Sequence, residues 1–199
     1  MKVLVVGATG LIGGAVAEAL AGSHEVLRAS RSSATLPVDI TDSESVARLF
    51  ARTGKLDAIV VAAGHAPFGR FDRLALDDYG SGLRSKLLGQ VDIVRQGSGH
   101  LADHGSLTLT SGILSTEPLR GASASAAANG GLEAFVRTSA TELPRGQRIN
   151  IVKPTIVAGS PQVALDRFEG FEPVPLAQVV NAYIRSIEGV RSGHVYEVL

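Results

Sequence analysis

MKVLVVGATGLIGGAVAEAL, residues 1–20, runs from a short apolar stretch through Gly7, Gly10 and Gly13 into an Ala-rich segment with helical spacing. Each glycine omits a Cβ where one would obstruct: a sharp turn at the strand end, close approach of backbone to a pyrophosphate, and tight helix–strand contact. The first-turn amides of a helix lack carbonyl partners and attract an anion. In this strand-to-helix context the stretch predicts a dinucleotide cradle built from Gly7, Thr9, Gly10, Leu11, Ile12 and Gly13. A glycine-rich turn that binds nothing is the plainer alternative.

Outward from this stretch, apolar runs near residues 3–7, 25–30, 58–64, 106–111, 149–153 and 194–199 alternate with helix-period segments near 11–22, 42–53, 74–101, 124–142 and 176–188. Such alternation predicts repeated strand–helix–strand units around a parallel sheet. Several runs are almost wholly apolar, as strands covered on both faces are. Thr41 with Glu44 three residues later reads as a capping box opening the second helix. A length of 199 residues suits one domain spanning 1–199.

Composition narrows the partners. Apolar residues make up 45% and charged residues 19%, which favours a packed fold over disorder. Lys plus Arg and Asp plus Glu number 19 each, so no net field draws the chain to nucleic acid or an anionic membrane. The absence of cysteine excludes disulfides, thiolate metal ligands and cysteine nucleophiles. The apolar run before Gly7 is shorter than a signal-peptide core, and nothing approaches the roughly 18 apolar residues of a membrane helix, so a cytoplasmic location is expected. His100 and His104 are four apart with no carboxylate nearby except Asp103, and no metal is expected.

The second predicted strand ends in Arg28-Ala29-Ser30-Arg31, where an NAD-selective protein places an acid against the ribose 2′-hydroxyl. Ser30 and Arg31 suit a 2′-phosphate instead, since a planar guanidinium matches phosphate better than an ammonium does. NADP(H) is therefore expected in preference to NAD(H), against the alternative of a solvated basic loop. Asp39 and Ile40 are expected to border the adenine, the alternative being a simple helix lead-in.

GATGLIG at 7–13, Asp39-Ile40, AAG at 62–64, SKLLGQ at 85–90, GSLTLTSG at 105–112 and INIVKPTIV at 149–157 together make the chain resemble the short-chain dehydrogenase/reductase superfamily from Met1 to Leu199. The resemblance implies a single Rossmann-like, doubly wound α/β domain of about seven parallel strands with helices on both faces. It further implies a bound NAD(P) touched by Ala62, Ala63, Gly64, Pro154 and Ile156, and hydride transfer between a carbonyl and an alcohol of a small-molecule substrate. A homodimer or homotetramer is also implied, with Ser123, Ala127, Gly130 and Gly131 as a small-residue helix face.

Members of that superfamily carry a tyrosine four residues before a lysine, so that on one helical face the ammonium lowers the phenol's pKa. Here Leu132-Glu133-Ala134-Phe135 sets the register, which places Ser125 at the tyrosine position and Asn129 at the lysine position. Neither can do the expected work, because an aliphatic hydroxyl does not ionise in reach of neutral pH and an amide carries no charge. Tyr79, Tyr183 and Tyr196 each lack a lysine four residues downstream. Ser111 stands one residue before the position of the usual catalytic serine, and Lys86 stands at that of the usual asparagine. Ser111 and Lys86 are the catalytic candidates, with Lys153 a weaker one; the alternative for Lys86 is a side chain that snorkels to solvent or pairs with a surface acid. His65 reads as a proton carrier or an exposed loop residue. Phe168, Phe171 and Val174 form either a small apolar lid or sheet-edge packing.

Three functions are compatible with this pattern. The chain is an NADP(H)-dependent oxidoreductase with a non-standard proton donor, a catalytically silent dinucleotide sensor, or a scaffold.

Overall fold

The computed structural model describes residues 1–199, which form one α/β unit around a six-stranded parallel sheet of order β2-β1-β3-β4-β5-β6. The strands are β1 (Lys2–Val6), β2 (Glu25–Ala29), β3 (Leu56–Val61), β4 (Leu101–Thr110), β5 (Arg148–Pro154) and β6 (Val195–Val198). Side chains alternate between the two faces, as the pleat requires. Val3 and Val5 of β1 and Ala58 and Val60 of β3 enter the core shared with α1 (Leu11–Ala21) and α7 (Leu176–Glu188). Leu4, Val6, Ile59 and Val61 enter the opposite core, shared with α2 (Ser43–Thr53), α4 (Gly89–Gly97) and α5 (Ser123–Ser139). The sheet is thus wound on both faces, and chain order reverses between β1 and β3, which opens a crevice at their carboxyl ends. No helix is long and apolar enough to cross a membrane.

Six strands stand where the family resemblance implied about seven. A parallel neighbour needs a crossover of about a dozen residues or more. Between β2 and α2 residues 30–42 would have to supply both that crossover and the strand itself, and they make only one isolated bridge, Ser30 with Pro37. The segment therefore delivers Asp39 and Ile40 to the crevice without a strand of its own.

Two local expectations also change. The cap of α2 is Asp42, whose carboxylate accepts from the Glu44 amide at 2.9 Å. Thr41 lies one residue before the cap, with its hydroxyl turned to Asp39 Oδ1 at 2.7 Å. The predicted helix over 74–101 is α3 (Leu76–Gly82), a π-helical turn over Leu83–Leu88, and α4, with β4 already begun at Leu101. π-Helical turns are rare and recur at functional sites.

The β1–α1 turn shows why its glycines are needed. A Cβ on Gly13 would lie 2.2 Å from the Gly7 carbonyl oxygen, and one on Gly7, at φ +91°, would lie 2.4 Å from the Ala62 oxygen. Both contacts are with backbone, which cannot swing aside. Gly130, inside α5, would meet nothing within 4 Å. We therefore expect Gly13→Ala to destabilise the fold by about 3 kcal/mol or more through overpacking, whereas Gly130→Ala stabilises it by about 0.5–1 kcal/mol through backbone entropy. Urea unfolding of the two variants checks the contrast, and equal effects would refute the steric account.

Candidate dinucleotide and active site

The crevice continues into a cleft of about 680 Å³ lined by Val6, Gly7, Thr9 and Gly10 of the glycine turn, by Ser30 and Arg31 after β2, by Asp39 and Ile40, and by Ala62, Ala63 and Gly64 after β3. Leu11 and Gly13 complete the turn without lining the cleft by side chain. Leu11 is exposed on the outer face, and Gly13 is buried beneath Gly7. The amides of Leu11, Ile12 and Gly13 fall in the first turn of α1, where no preceding carbonyl is within helical reach. The Asp39 carboxyl is held below its ordinary pKa, chiefly because its oxygen accepts from the Thr41 amide at 2.9 Å and also from the Thr41 hydroxyl.

Arg84, which the sequence reading missed, lines the same cleft from the π-helical turn. Arg31 and Arg84 are both exposed and make no ion pair, so two free guanidinium groups serve one cleft. The signal in the sequence was the pair Arg84 and Lys86 on one short turn, of which only the lysine was weighed.

A second hollow of about 300 Å³ opens at the other end, reached past His65. Ile12, Phe68, Ile113, Leu114, Ile156 and Phe168 give it apolar walls, and Lys86, Ser111, Ser125, Asn129, Pro154 and Thr155 supply its polar atoms. Gly64, at φ +107°, lets the β3 turn lie against the π-helical backbone, where a Cβ would sit 2.9 Å from Lys86 Cα. Lys86 forms no salt bridge. Its ammonium donates one long bond, 3.4 Å, to the Ser111 carbonyl oxygen. Lys86 is half-buried, and the loss of hydration around its unpaired ammonium lowers its pKa from 10.5 to about 8.

Beneath Ser111 lies Glu133, a buried carboxylate that the sequence reading used only to set register. Ser111 Oγ donates to its Oε1 at 3.1 Å, Ser115 Oγ donates to the same oxygen, and Arg137 approaches Oε2 at 3.6 Å. Ser125, Asn129, Glu133 and Arg137 recur every four residues on α5 and so share one face. That ladder was the available signal. Asn129 donates to the Gly112 carbonyl at 3.3 Å, but its Oδ1 has no partner, nor has Thr155 Oγ1, although both residues are buried against the hollow.

Other candidates are taken up elsewhere. Lys153 is buried across from β6 and donates to Glu197 at 2.8 Å, outside both cavities. Tyr183 is buried with its hydroxyl against Thr110, and burial pushes its phenol up, Tyr79 bonds Ser123, and Tyr196 donates to the Arg185 carbonyl. His65 is exposed, with its amide donating to Ser85 Oγ. Phe168 packs between Phe68 and Phe171 over the hollow, with ring centroids 6.5 and 5.6 Å away. Val174 is buried in a bridge to Val157 and covers nothing. On α5, Ser123 and the close approach at Gly131, where a Cβ would meet Leu87, hold α5 to its own chain, which leaves Ala127 exposed and Gly130 with open space.

A family model described as "Enoyl-(Acyl carrier protein) reductase" matches residues 7–185. Among solved structures, the protein lin1944 from Listeria innocua shares 41% identity over the whole of both chains, with a TM-score of 0.97. A small-chain dehydrogenase in complex with NADPH shares 28% identity over all of this chain and 96% of its own, with a TM-score of 0.89. A dehydrogenase/reductase from Sinorhizobium meliloti, at 20% identity and a TM-score of 0.85, covering 99% of this chain and 92% of its own, shares the fold. No curated protein matches the sequence.

The Lys86 environment generates a stability prediction. Its pKa falls from 10.5 to about 8 on folding, so the burial cost is fully present below about pH 8 and fades as pH rises toward the ordinary lysine value. Lys86→Met should melt about 2–8 °C above the parent at pH 7, taking roughly 1–2 kcal/mol and 2–4 °C per kcal/mol for a chain of this size. The difference should shrink by pH 10. A gap that is constant with pH would show that the ammonium is not desolvated.

Proposed function

The chain belongs to the short-chain dehydrogenase/reductase superfamily, and from that premise we propose that it is an NADP(H)-dependent oxidoreductase in which Lys86 replaces the usual phenol as proton donor to a small carbonyl substrate. One observation carries the reading: a half-buried ammonium without a salt bridge stands beside Ser111 in a small hollow that continues the dinucleotide cleft.

The residues present fit a nicotinamide dinucleotide. The two partnerless buried oxygens of the hollow, Asn129 Oδ1 and Thr155 Oγ1, accept the kind of N–H and O–H donors that a carboxamide and a ribose provide. The amides of the turn from Gly7 to Gly13, Thr9, Gly10, Leu11 and Ile12 included, would hold the pyrophosphate. Ser30, Arg31 and Arg84 would hold a 2′-phosphate. Asp39 and Ile40 would border the adenine, with Ala62, Ala63, Gly64, Pro154 and Ile156 along the remainder. When bound, the dinucleotide supplies or accepts the hydride.

The chain's own residues divide the proton work. Ser111 has one proton and gives it to Glu133, so its oxygen is left to accept. Lys86 has three protons and only one long bond, so it is the group free to donate to a developing alkoxide. A pKa of about 8 keeps it charged at neutral pH while easing proton release. Ser125 and Asn129, unable to ionise, would shape the wall and receive ribose hydroxyls. Ala127 and Gly130 support self-association as a homodimer or homotetramer through α5. The family's seat for the tyrosine and lysine being filled by Ser125 and Asn129 favours a second reading, a silent dinucleotide sensor.

Fluorescence titration should show NADPH binding more tightly than NADH, and Arg31→Glu should reverse the order. Arg84→Gln should weaken NADPH about tenfold while leaving NADH nearly unchanged. With a turned-over carbonyl, Lys86→Ala should lower kcat by about two to four decades without altering NADPH affinity. Tight NADPH binding with no carbonyl reduced by the parent protein would establish the sensor. Loss of neither selectivity nor rate in these variants would sink the assignments.

A further inference from the structure

The charge balance of the hollow selects a substrate. None of its lining residues is Asp or Glu, and Lys86 is the one fixed cation among them. The other titratable wall residue, His65, is held at Ser85 Oγ. Behind the wall, Glu133 is engaged by Ser111, Ser115 and Arg137, and Arg167 lies 5.0 Å over the Phe68 ring rather than against Lys86. Nothing in the protein neutralises the ammonium. A half-buried charge without a counter-ion costs free energy that a bound anion recovers.

On the reading that Lys86 donates the proton, this single ammonium must serve two oxygens at once, an anionic one and the carbonyl oxygen being reduced. No second cation lines the hollow to serve the anion separately, and two oxygens on adjacent carbons make the most compact such pair that one ammonium can hold. We infer that the substrate is a short 2-oxo acid, interconverted with its 2-hydroxy acid, whose carboxylate and neighbouring carbonyl both face Lys86 and whose alkyl end lies against Phe68, Leu114 and Phe168. A hollow of about 300 Å³, shared with a nicotinamide ring, admits only a short chain. In the reductive direction the hydride of the reduced dinucleotide bonds to the carbonyl carbon and the carbonyl π electrons move to oxygen. One N–H bond of Lys86 then breaks to protonate that oxygen, and water returns the proton to the amine. The sum is oxo acid, reduced dinucleotide and one proton giving hydroxy acid and oxidised dinucleotide.

The inference rests on the oxidoreductase reading, and its test separates the two. Oxamate, an anion shaped like pyruvate with an amide carbonyl that resists reduction, is titrated calorimetrically into protein saturated with NADPH. Binding is expected at pH 7 and should weaken about tenfold by pH 9, because the ammonium with a pKa of about 8 is lost over that interval. Lys86→Met should abolish it, while Lys86→Arg, still charged at pH 9, should bind at both pH values. The melting temperature of each variant confirms folding. In parallel, NADPH consumption is followed with 2-oxobutanoate and with the neutral ketone butanone. Preference for 2-oxobutanoate by at least tenfold in kcat/KM supports the inference. Equal turnover of butanone, or oxamate binding unchanged in Lys86→Met, overturns it and leaves the oxidoreductase reading standing. Lys86-dependent oxamate binding with no turnover of either ketone supports the anion site and overturns the oxidoreductase reading.

Discussion

The close approach of α1 to the end of β1 is the constraint on which the rest of the molecule depends. Two backbones meet at Gly7 and Gly13 at a distance that no side chain permits, and Gly7 is itself pressed against the Ala62 carbonyl of the neighbouring strand end. One contact therefore fixes the helix on the sheet, the turn over the crevice, and the register of the β3 turn beside it. Because the contact is between main chains, it cannot relax by choosing another rotamer. The same closeness leaves the first-turn amides of α1 bare at the mouth of the crevice, where a phosphate can approach.

From the β3 turn the constraint passes to the π-helical segment. Gly64 packs on Lys86 Cα, so a short turn of unusual pitch is clamped from one side while Gly131 admits Leu87 from the other. The turn sends Arg84 to the cleft that Arg31 also lines and Lys86 to the small hollow. Both ends of the site are thus set by one six-residue element.

The polar side of α5 works against a different problem, the burial of ionisable groups. Glu133 is sunk in the core side of the helix and is tolerated because two serine hydroxyls and Arg137 answer its oxygens. That engagement also commits the Ser111 proton. Lys86 has no such answer within the protein, and its lowered pKa is the electrostatic trace of that asymmetry. A protein at neutral overall charge can therefore hold a locally cationic hollow, because what matters there is the few groups that share the low-dielectric space.

The sequence alone determined the periodicities, hence the parallel sheet and the paired faces, and the glycine turn, because these follow from local geometry and from which side chains water rejects. It also placed Ser125 and Asn129 four apart at the register where the family resemblance expects a tyrosine and a lysine, since residue identity at i and i+4 is legible without coordinates. Only the tertiary structure decided the loss of a seventh strand, which depended on how residues 30–42 lie on the sheet edge. It alone showed that Asp42 rather than Thr41 caps α2, that Lys153 answers Glu197 across two strands, and that Glu133 lies under Ser111. Each of these is a contact between residues distant in sequence or a competition for one hydroxyl, and neither pattern nor propensity encodes which partner wins.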